Sequence, residues 1–111
     1  MKGAVLRFFV HEGERHGHEL LFEWLLEEAR RAGIAGGSAF RAIAGYGRHG
    51  VLHEQTFFEL AGNLPVQVIF FTKRELAQLL LQRVAAERLR VVYSLSEAEF
   101  GVTGPERAET N

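Results

Sequence analysis

Two short apolar runs constrain the fold of this chain more than any other feature. They are residues 4–10 (AVLRFFV) and residues 66–71 (VQVIFF). In both runs the odd-numbered and the even-numbered positions are largely apolar, so a strand formed from either run would have two faces that avoid water. Strands of this kind lie in the middle of a sheet. The sequence therefore predicts a sheet with these two runs as its central strands.

Each apolar run is followed by a segment with helical character. Between about residues 18 and 32, apolar side chains recur at spacings of three or four, and Gly33 is placed to take the left-handed conformation that ends a helix. After the second run, residues 72–75 (TKRE) match a capping box, in which the first side chain accepts a hydrogen bond from the backbone of the fourth residue. We expect a second helix from there to about residue 87.

Two weaker strands complete the pattern. Residues 38–44 (SAFRAIA) and 90–95 (RVVYSL) alternate between two faces, and residues 56–60 (TFFEL) are also predicted to be extended. The resulting order, βαββαβ, indicates a ferredoxin-like α+β fold, in which a four-stranded antiparallel sheet carries two helices on one face. We expect one domain over residues 1–100 and a flexible tail over residues 101–111.

Composition excludes several classes of function. The 111 residues include no cysteine, which rules out disulfides and thiolate metal sites. Thirteen Lys and Arg are balanced by fourteen Asp and Glu, and the net charge of −1 argues against a nucleic-acid partner. No apolar segment approaches the ~20 residues that span a bilayer. We therefore expect a cytoplasmic protein that is not itself inserted in a membrane.

A two-layer fold of this kind leaves one face of its sheet without helices. Because both central runs are apolar on both faces, the uncovered face must carry apolar side chains whichever set the helices cover. Monomers seldom expose large apolar patches, so self-association through this face is the simplest explanation. The sequence predicts a homo-oligomer.

The glycine-rich segment after the second predicted strand is the candidate ligand site. It offers unhindered backbone N–H groups, cations and an aromatic ring, which are the parts needed to hold a phosphate and a base. The candidate ligand-binding residues are Arg41, Gly45, Tyr46, Gly47, Arg48 and His49. Two alternatives stay open: residues 45–55 form a plain flexible loop, and Arg41 forms a salt bridge to Glu59 across a hairpin.

Other polar groups give weaker candidates. His49 and His53 lie in one loop and could share a divalent metal such as zinc or copper, although loop histidines are more often solvated. Glu12 and Glu14 lie two residues apart in a charged segment, residues 11–17, that is predicted to be a loop, and we interpret them as solvated rather than as a catalytic pair. The sequence contains no nucleophile or phosphate-loop motif, so we expect no enzyme activity.

Three stretches together resemble one protein family. They are residues 22–33 (FEWLLEEARRAG), residues 33–47 (GIAGGSAFRAIAGYG) and the turn at residues 63–66 (NLPV). They are similar to the uncharacterised PII-like family, the domain of unknown function numbered one hundred and ninety, within the superfamily of the nitrogen-regulatory PII proteins. The resemblance covers about residues 4–98.

The resemblance implies a ferredoxin-like trimer that packs its sheets inward and binds adenine nucleotides in clefts between subunits. It places residues 45–55 at the loop through which PII proteins signal, so the partner would be a protein such as a membrane transporter or an enzyme. The leading hypothesis is a PII-like regulatory homotrimer that senses a small anionic ligand, with an adenine nucleotide as candidate cofactor. The alternatives are a trimer that binds a divalent metal through loop histidines and an oligomeric interaction module without a ligand.

Overall fold

In the computed structural model, which describes residues 1–45 and 64–105, the two apolar runs form neighbouring central strands of an antiparallel sheet. The described strands are β1 (Lys2–His11), β2 (Arg15–His16), β3 (Glu19–Leu20), β4 (Gly37–Arg41), β5 (Pro65–Thr72) and β6 (Val92–Glu99). The described helices are α1 (Leu21–Arg31) and α2 (Arg74–Ala86). Strands β4, β5, β1 and β6 lie side by side in that order, and β2 pairs with β3 in a small hairpin. The predicted α+β fold with two apolar central strands is confirmed.

The pairing of β1 with its two neighbours decides which side chains share a face of the sheet. Phe8 lies opposite Val68 of β5 and Tyr93 of β6. Arg7, the preceding residue, lies opposite Ile69 and Ser94. Residues directly opposite one another point to the same face, and successive residues of a strand point to opposite faces. One face therefore carries Phe8 and its row, and the other carries Arg7 and its row.

Helices α1 and α2 cover the face that carries Phe8 and form the core against it. The largest fully buried side chains come from β1, β5 and the two helices: Leu6, Phe8, Leu21, Leu25, Val68, Phe70 and Leu80. The rings of Phe8 and Phe70 meet edge to face, with their centroids 6.4 Å apart. Full burial of one such side chain contributes about 1.5–3 kcal/mol. This helix-covered face therefore supplies most of the apolar burial within one subunit. We call the opposite side the open face.

Helix α1 ends at the glycine that the sequence predicts. Gly33 has a φ of 95°, its N–H donates to the Arg30 carbonyl oxygen at 3.1 Å, and the Ile34 N–H donates to the Ala29 carbonyl oxygen at 3.0 Å. These two bonds define a Schellman motif, which satisfies carbonyl groups at the helix end. The buried Ile34 side chain then joins the core as the chain turns toward β4. The prediction for Gly33 is confirmed.

The predicted capping box at residues 72–75 is wrong. Thr72 is the last residue of β5, where it pairs with Ala4 and is buried. Lys73 takes the N-cap position of α2 without a side-chain cap, and its carbonyl oxygen accepts the Ala77 N–H at 3.1 Å. Because the sheet holds Thr72 in the strand, its hydroxyl does not cap the helix.

Several predicted boundaries also move. Helix α1 begins at Leu21 rather than near residue 18, because residues 19 and 20 form strand β3 instead. Their partners in β2, residues 15 and 16, lie in the segment predicted to be a loop. Strand β4 ends at Arg41, and β6 continues to Glu99. The predicted extended segment 56–60 lies outside the described residues. Residues 106–111 lie outside the described residues, so the division into a domain and a flexible tail stays a prediction.

Candidate functional site

The open face of the sheet carries the exposed apolar surface that the sequence predicts. Each of the strands β1, β4, β5 and β6 contributes one large apolar side chain that is about half exposed. These side chains are between 42% and 58% exposed: Phe9, Phe40, Phe71 and Val92. Side chains of this size are usually buried, so a surface that exposes four of them on one face is a strong candidate for an interface.

The side chains of the open face lie in rows that cross the sheet. An apolar row near one end consists of Phe40, Gln67, Phe9 and Val92. A second apolar group near the other end consists of Val5, Phe71 and Phe100, and the last two rings pack edge to face with centroids 5.7 Å apart. The row between them is more polar and consists of Ser38, Ile69, Arg7 and Ser94. The open face is thus apolar at both ends and polar at its centre.

The second candidate region is the place where the described chain enters and leaves residues 46–63. The Glu12 N–H, just after β1, donates to the Leu64 carbonyl oxygen at 2.8 Å. The Ala42 N–H, just after β4, donates to the Pro65 carbonyl oxygen at 2.8 Å. Three strand ends therefore meet at one end of the sheet, and we call this meeting point the loop root.

Arg41, one of the predicted ligand residues, lies at the loop root. Its guanidinium donates to the Glu12 carboxylate, with Nε 3.1 Å from Oε2 and Nη2 bound to the same oxygen. These hydrogen bonds and, to a smaller extent, the attraction of the carboxylate charge raise the pKa of Arg41 above its usual range. An anionic ligand at Arg41 would therefore compete with Glu12.

The remaining predicted ligand residues differ in how far the structure tests them. Gly45 is described and lies close to Pro65, since a side chain added at residue 45 would come within 3.9 Å of the proline ring. Tyr46, Gly47, Arg48 and His49 lie outside the described residues, and so does Glu59, the predicted salt-bridge partner of Arg41. Their part in a ligand site stays a prediction.

Glu12 is the residue at the loop root that sequence reasoning missed. The interpretation of Glu12 as merely solvated is corrected by its ion pair with Arg41, which leaves its side chain 25% exposed. Glu14 makes a different contact, because its carboxylate accepts the His11 backbone N–H at 3.2 Å. A signal was available: Glu12 continues the face of Val10, and the sheet register places Arg41 on that same face.

The same end of the sheet also holds the turn between α2 and β6. Residue Arg88 in this turn has a φ of 61°, which is uncommon for a residue other than glycine. Arg88 and Arg90 are both exposed. The turn leads into β6 at Val92, which pairs with Phe9 near the end of β1. Arg88 and Arg90 therefore lie at the same end of the sheet as Arg41. This end of the sheet therefore carries these three arginines, of which Arg41 is paired with Glu12.

His16 forms a further contact between elements, and it bears on the metal alternative. Its Nε2 lies 3.1 Å from Oε1 of Glu87, at the end of α2, and its ring packs edge to face against Trp24 at 4.9 Å. In residues 1–45 and 64–105, no three His, Asp or Glu side chains come together to hold a metal ion. His49 and His53 lie outside those ranges, so a metal site built on them stays a prediction.

No helix in the described part of the chain is long and apolar enough to cross a membrane.

Solved structures with the same fold are PII-like proteins. CPII of Thiomonas intermedia K12, a nitrogen regulatory PII-like protein bound to ADP, AMP and bicarbonate, matches with a TM-score of 0.63 and 17% identity over 93% of this chain and 97% of its own. A protein of Thermus thermophilus described as PII-like matches with a TM-score of 0.59 and 18% identity, over 88% and 87% of the two chains. At these identities the likeness shows the fold, which is PII-like.

Sequence relatives define the family more closely. The UPF0166 protein of Aquifex aeolicus (strain VF5) is 33% identical over 84 residues, which is 76% of this chain and 80% of that protein. The UPF0166 protein MJ1524 of Methanocaldococcus jannaschii is 35% identical over 66 residues, 60% of each chain. The profile of DUF190, described as Uncharacterized ACR, COG1993, matches residues 3–98. In agreement with the three resembling stretches of the sequence, the chain belongs to the DUF190 family.

Proposed function

We propose that this protein is a cytoplasmic PII-like regulatory protein. It is a homotrimer that binds an adenine nucleotide in clefts between its subunits and contacts a partner protein, such as a membrane transporter or an enzyme, through residues 45–55. The observation that carries the proposal is the open face, on which Phe9, Phe40, Phe71 and Val92 are exposed. Because these side chains are only about half exposed in the subunit, covering each of them would stabilise an assembly by roughly 0.7–1.5 kcal/mol.

Cations at the end of the sheet that holds the loop root support an anionic ligand. Arg41, Arg88 and Arg90 lie at the same end of the sheet, and the fold matches that of CPII, which was solved with ADP and AMP bound. In this proposal Arg41 binds a phosphate group, and the backbone of Gly45 and Gly47 approaches the nucleotide closely. Tyr46, Arg48 and His49 complete the site. Glu12 holds Arg41 in place and is displaced from it by the phosphate.

The assembly is tested by light scattering and native mass spectrometry at micromolar concentration. We expect a mass of three subunits. A monomer under these conditions would contradict the assembly half of the proposal, whatever the protein binds.

The ligand is tested by calorimetry with ADP, AMP and ATP, with and without bicarbonate. Arg41→Ala should weaken nucleotide binding by about tenfold to a hundredfold, since a hydrogen bond to a charged group contributes about 1.5–3 kcal/mol. Glu12→Gln should act in the opposite direction and tighten binding, because it frees Arg41 from a competing carboxylate. Arg74→Ala, at the exposed start of α2, is the matched control and should leave binding unchanged. The absence of heat with all three nucleotides would contradict the ligand half.

A further inference from the structure

Arg7 occupies the centre of the open face. It lies midway along β1, is half-buried, and has Ile69 and Ser94 directly opposite. In the described parts of the chain no carboxylate pairs with it. Four other arginines, Arg30, Arg31, Arg41 and Arg83, each lie within 4 Å of a glutamate, whereas Arg74, Arg88 and Arg90 have no such partner among the described residues but are exposed to solvent. Arg7 differs from these three because it is half-buried.

We propose that Arg7 and Ser94 form an anion site at the centre of the open face, which takes a carboxylate or a small oxyanion when a second copy of this chain covers the face. The inference rests on the assembly half of the proposed function. It adds a ligand class and two binding residues that the nucleotide site at the loop root does not use.

The local geometry fits an anion. Side chains directly opposite in an antiparallel pair have Cβ atoms about 4.5–5.5 Å apart, so the Ser94 hydroxyl and the Arg7 guanidinium can reach the same oxygen atoms. Val5 and Phe9 flank Arg7 on the same face. Each lies two residues from Arg7 along the strand, a rise of about 6.6 Å. The polar centre is therefore bordered by apolar side chains that would exclude water once the face is covered.

The open face is large enough to bind a second copy. With strands about 4.8 Å apart and a rise of about 3.3 Å per residue, the sheet spans on the order of 500 Å² in projection, since β1 has 10 residues, β5 and β6 have 8 each and β4 has 5. Stable interfaces bury about 800 Å² on each partner, and ruffled side chains raise the accessible area above the projected one. The exposed apolar side chains in all four strands favour a partner with the same apolar surface over a polar one.

Covering this face creates an electrostatic problem that an anion solves. Burial of an unpaired charge costs more free energy than the covering of one half-exposed phenylalanine contributes. In a symmetric assembly every copy brings its own Arg7, so these arginines cannot neutralise one another. The negative charge must come either from a carboxylate of another copy or from a bound oxyanion.

Sedimentation equilibrium tests the inference and separates the two sources. Wild type, Arg7→Leu and Arg7→Gln are compared in sodium chloride and in sodium phosphate of equal ionic strength, with Arg74→Leu as the control for loss of a surface arginine. The Gln variant is run in parallel so that the result does not depend on the folding of one variant, and circular dichroism confirms that both are folded.

A free oxyanion predicts that phosphate tightens wild-type association by about tenfold or more, and that both Arg7 variants lose this response. A carboxylate from another copy predicts no phosphate response, and an association weakened by about tenfold in both salts when Arg7 is replaced, because the carboxylate is left unpaired.

Two results would overturn the inference. If wild type associates and the Arg7 variants match it within about threefold in both salts, or associate more tightly in both, Arg7 binds no anion and only this inference fails. If wild type is monomeric in every buffer, the proposed assembly itself fails, and this site fails with it.

Discussion

Phe8 and Phe9 are neighbours in β1 with the same side chain, yet they have opposite environments. Phe8 is fully buried beneath the helices, whereas Phe9 is 42% exposed on the open face. The difference arises from the sheet alone, because successive residues of a strand point to opposite sides and α1 and α2 pack on one side. One apolar face of the sheet is thus buried within the subunit, whereas the other stays exposed unless a second molecule covers it.

The largest expected contrast between the two faces is in subunit stability. Phe8→Ala removes a buried ring that packs against Phe70 and should lower the free energy of unfolding by about 3–5 kcal/mol. Phe9→Ala should lower it by less than about 1 kcal/mol in the isolated subunit, since its ring is already partly in water. Urea unfolding at high dilution measures both values. Equal losses would break the distinction between the faces.

A smaller effect is expected where β4 joins the helix-covered face. A Cβ at Gly37 would overlap the Phe70 ring, reaching 2.5 Å from its Cδ1, and would come within 3.3 Å of Leu26 Cδ2. Gly37→Ala should therefore destabilise the subunit by about 1–3 kcal/mol, measured by the same unfolding experiment. Gly36→Ala is the matched control, because a Cβ there meets no atom within 4 Å, and it should change stability by less than about 0.5 kcal/mol. A cost at residue 36 as large as that at residue 37 would argue against close packing.

The smallest change in subunit stability is expected on the open face, where the effect moves to association. Phe71→Ser should lower the free energy of unfolding of the dilute subunit by only about 0.5–1.5 kcal/mol, through loss of the ring contact with Phe100. It should weaken self-association by about tenfold or more, since an apolar side chain is lost from the interface. Sedimentation velocity across a dilution series measures the association. Tyr93→Ser is the control, because Tyr93 is 52% exposed but lies in the same row as Phe8, on the other face. A similar loss of association in both variants would show that the open face is not the interface.

Much of the fold could be predicted from the sequence because its signals are local. The strands β1 and β5 follow from apolar runs, and the end of α1 follows from one glycine with a left-handed backbone. The cap of α2 could not be predicted in this way, since strand pairing and helix capping competed for Thr72 and the pairing prevailed. The hairpin of β2 and β3 was missed because strands of two residues have no period to detect.

The candidate site was less predictable, for a physical reason. Arg41 was identified by its own charge in a strand, but its partner Glu12 lies 29 residues away in sequence. Their ion pair depends on the sheet order, which brings the end of β1 and the end of β4 to the same place on either side of β5. The open face was predictable as apolar, but the position of Arg7 between two apolar groups required the register of three strands.

The connection between β1 and α1 makes two contacts with distant parts of the chain. Glu12 holds Arg41 at the loop root, and His16 contacts Glu87 at the end of α2. These two residues are four steps apart in sequence, so the chain between them spans at most about 14 Å. Glu12 and His16 therefore cannot lie farther apart than this length, and the short connection sets an upper limit on the separation of the two contacts.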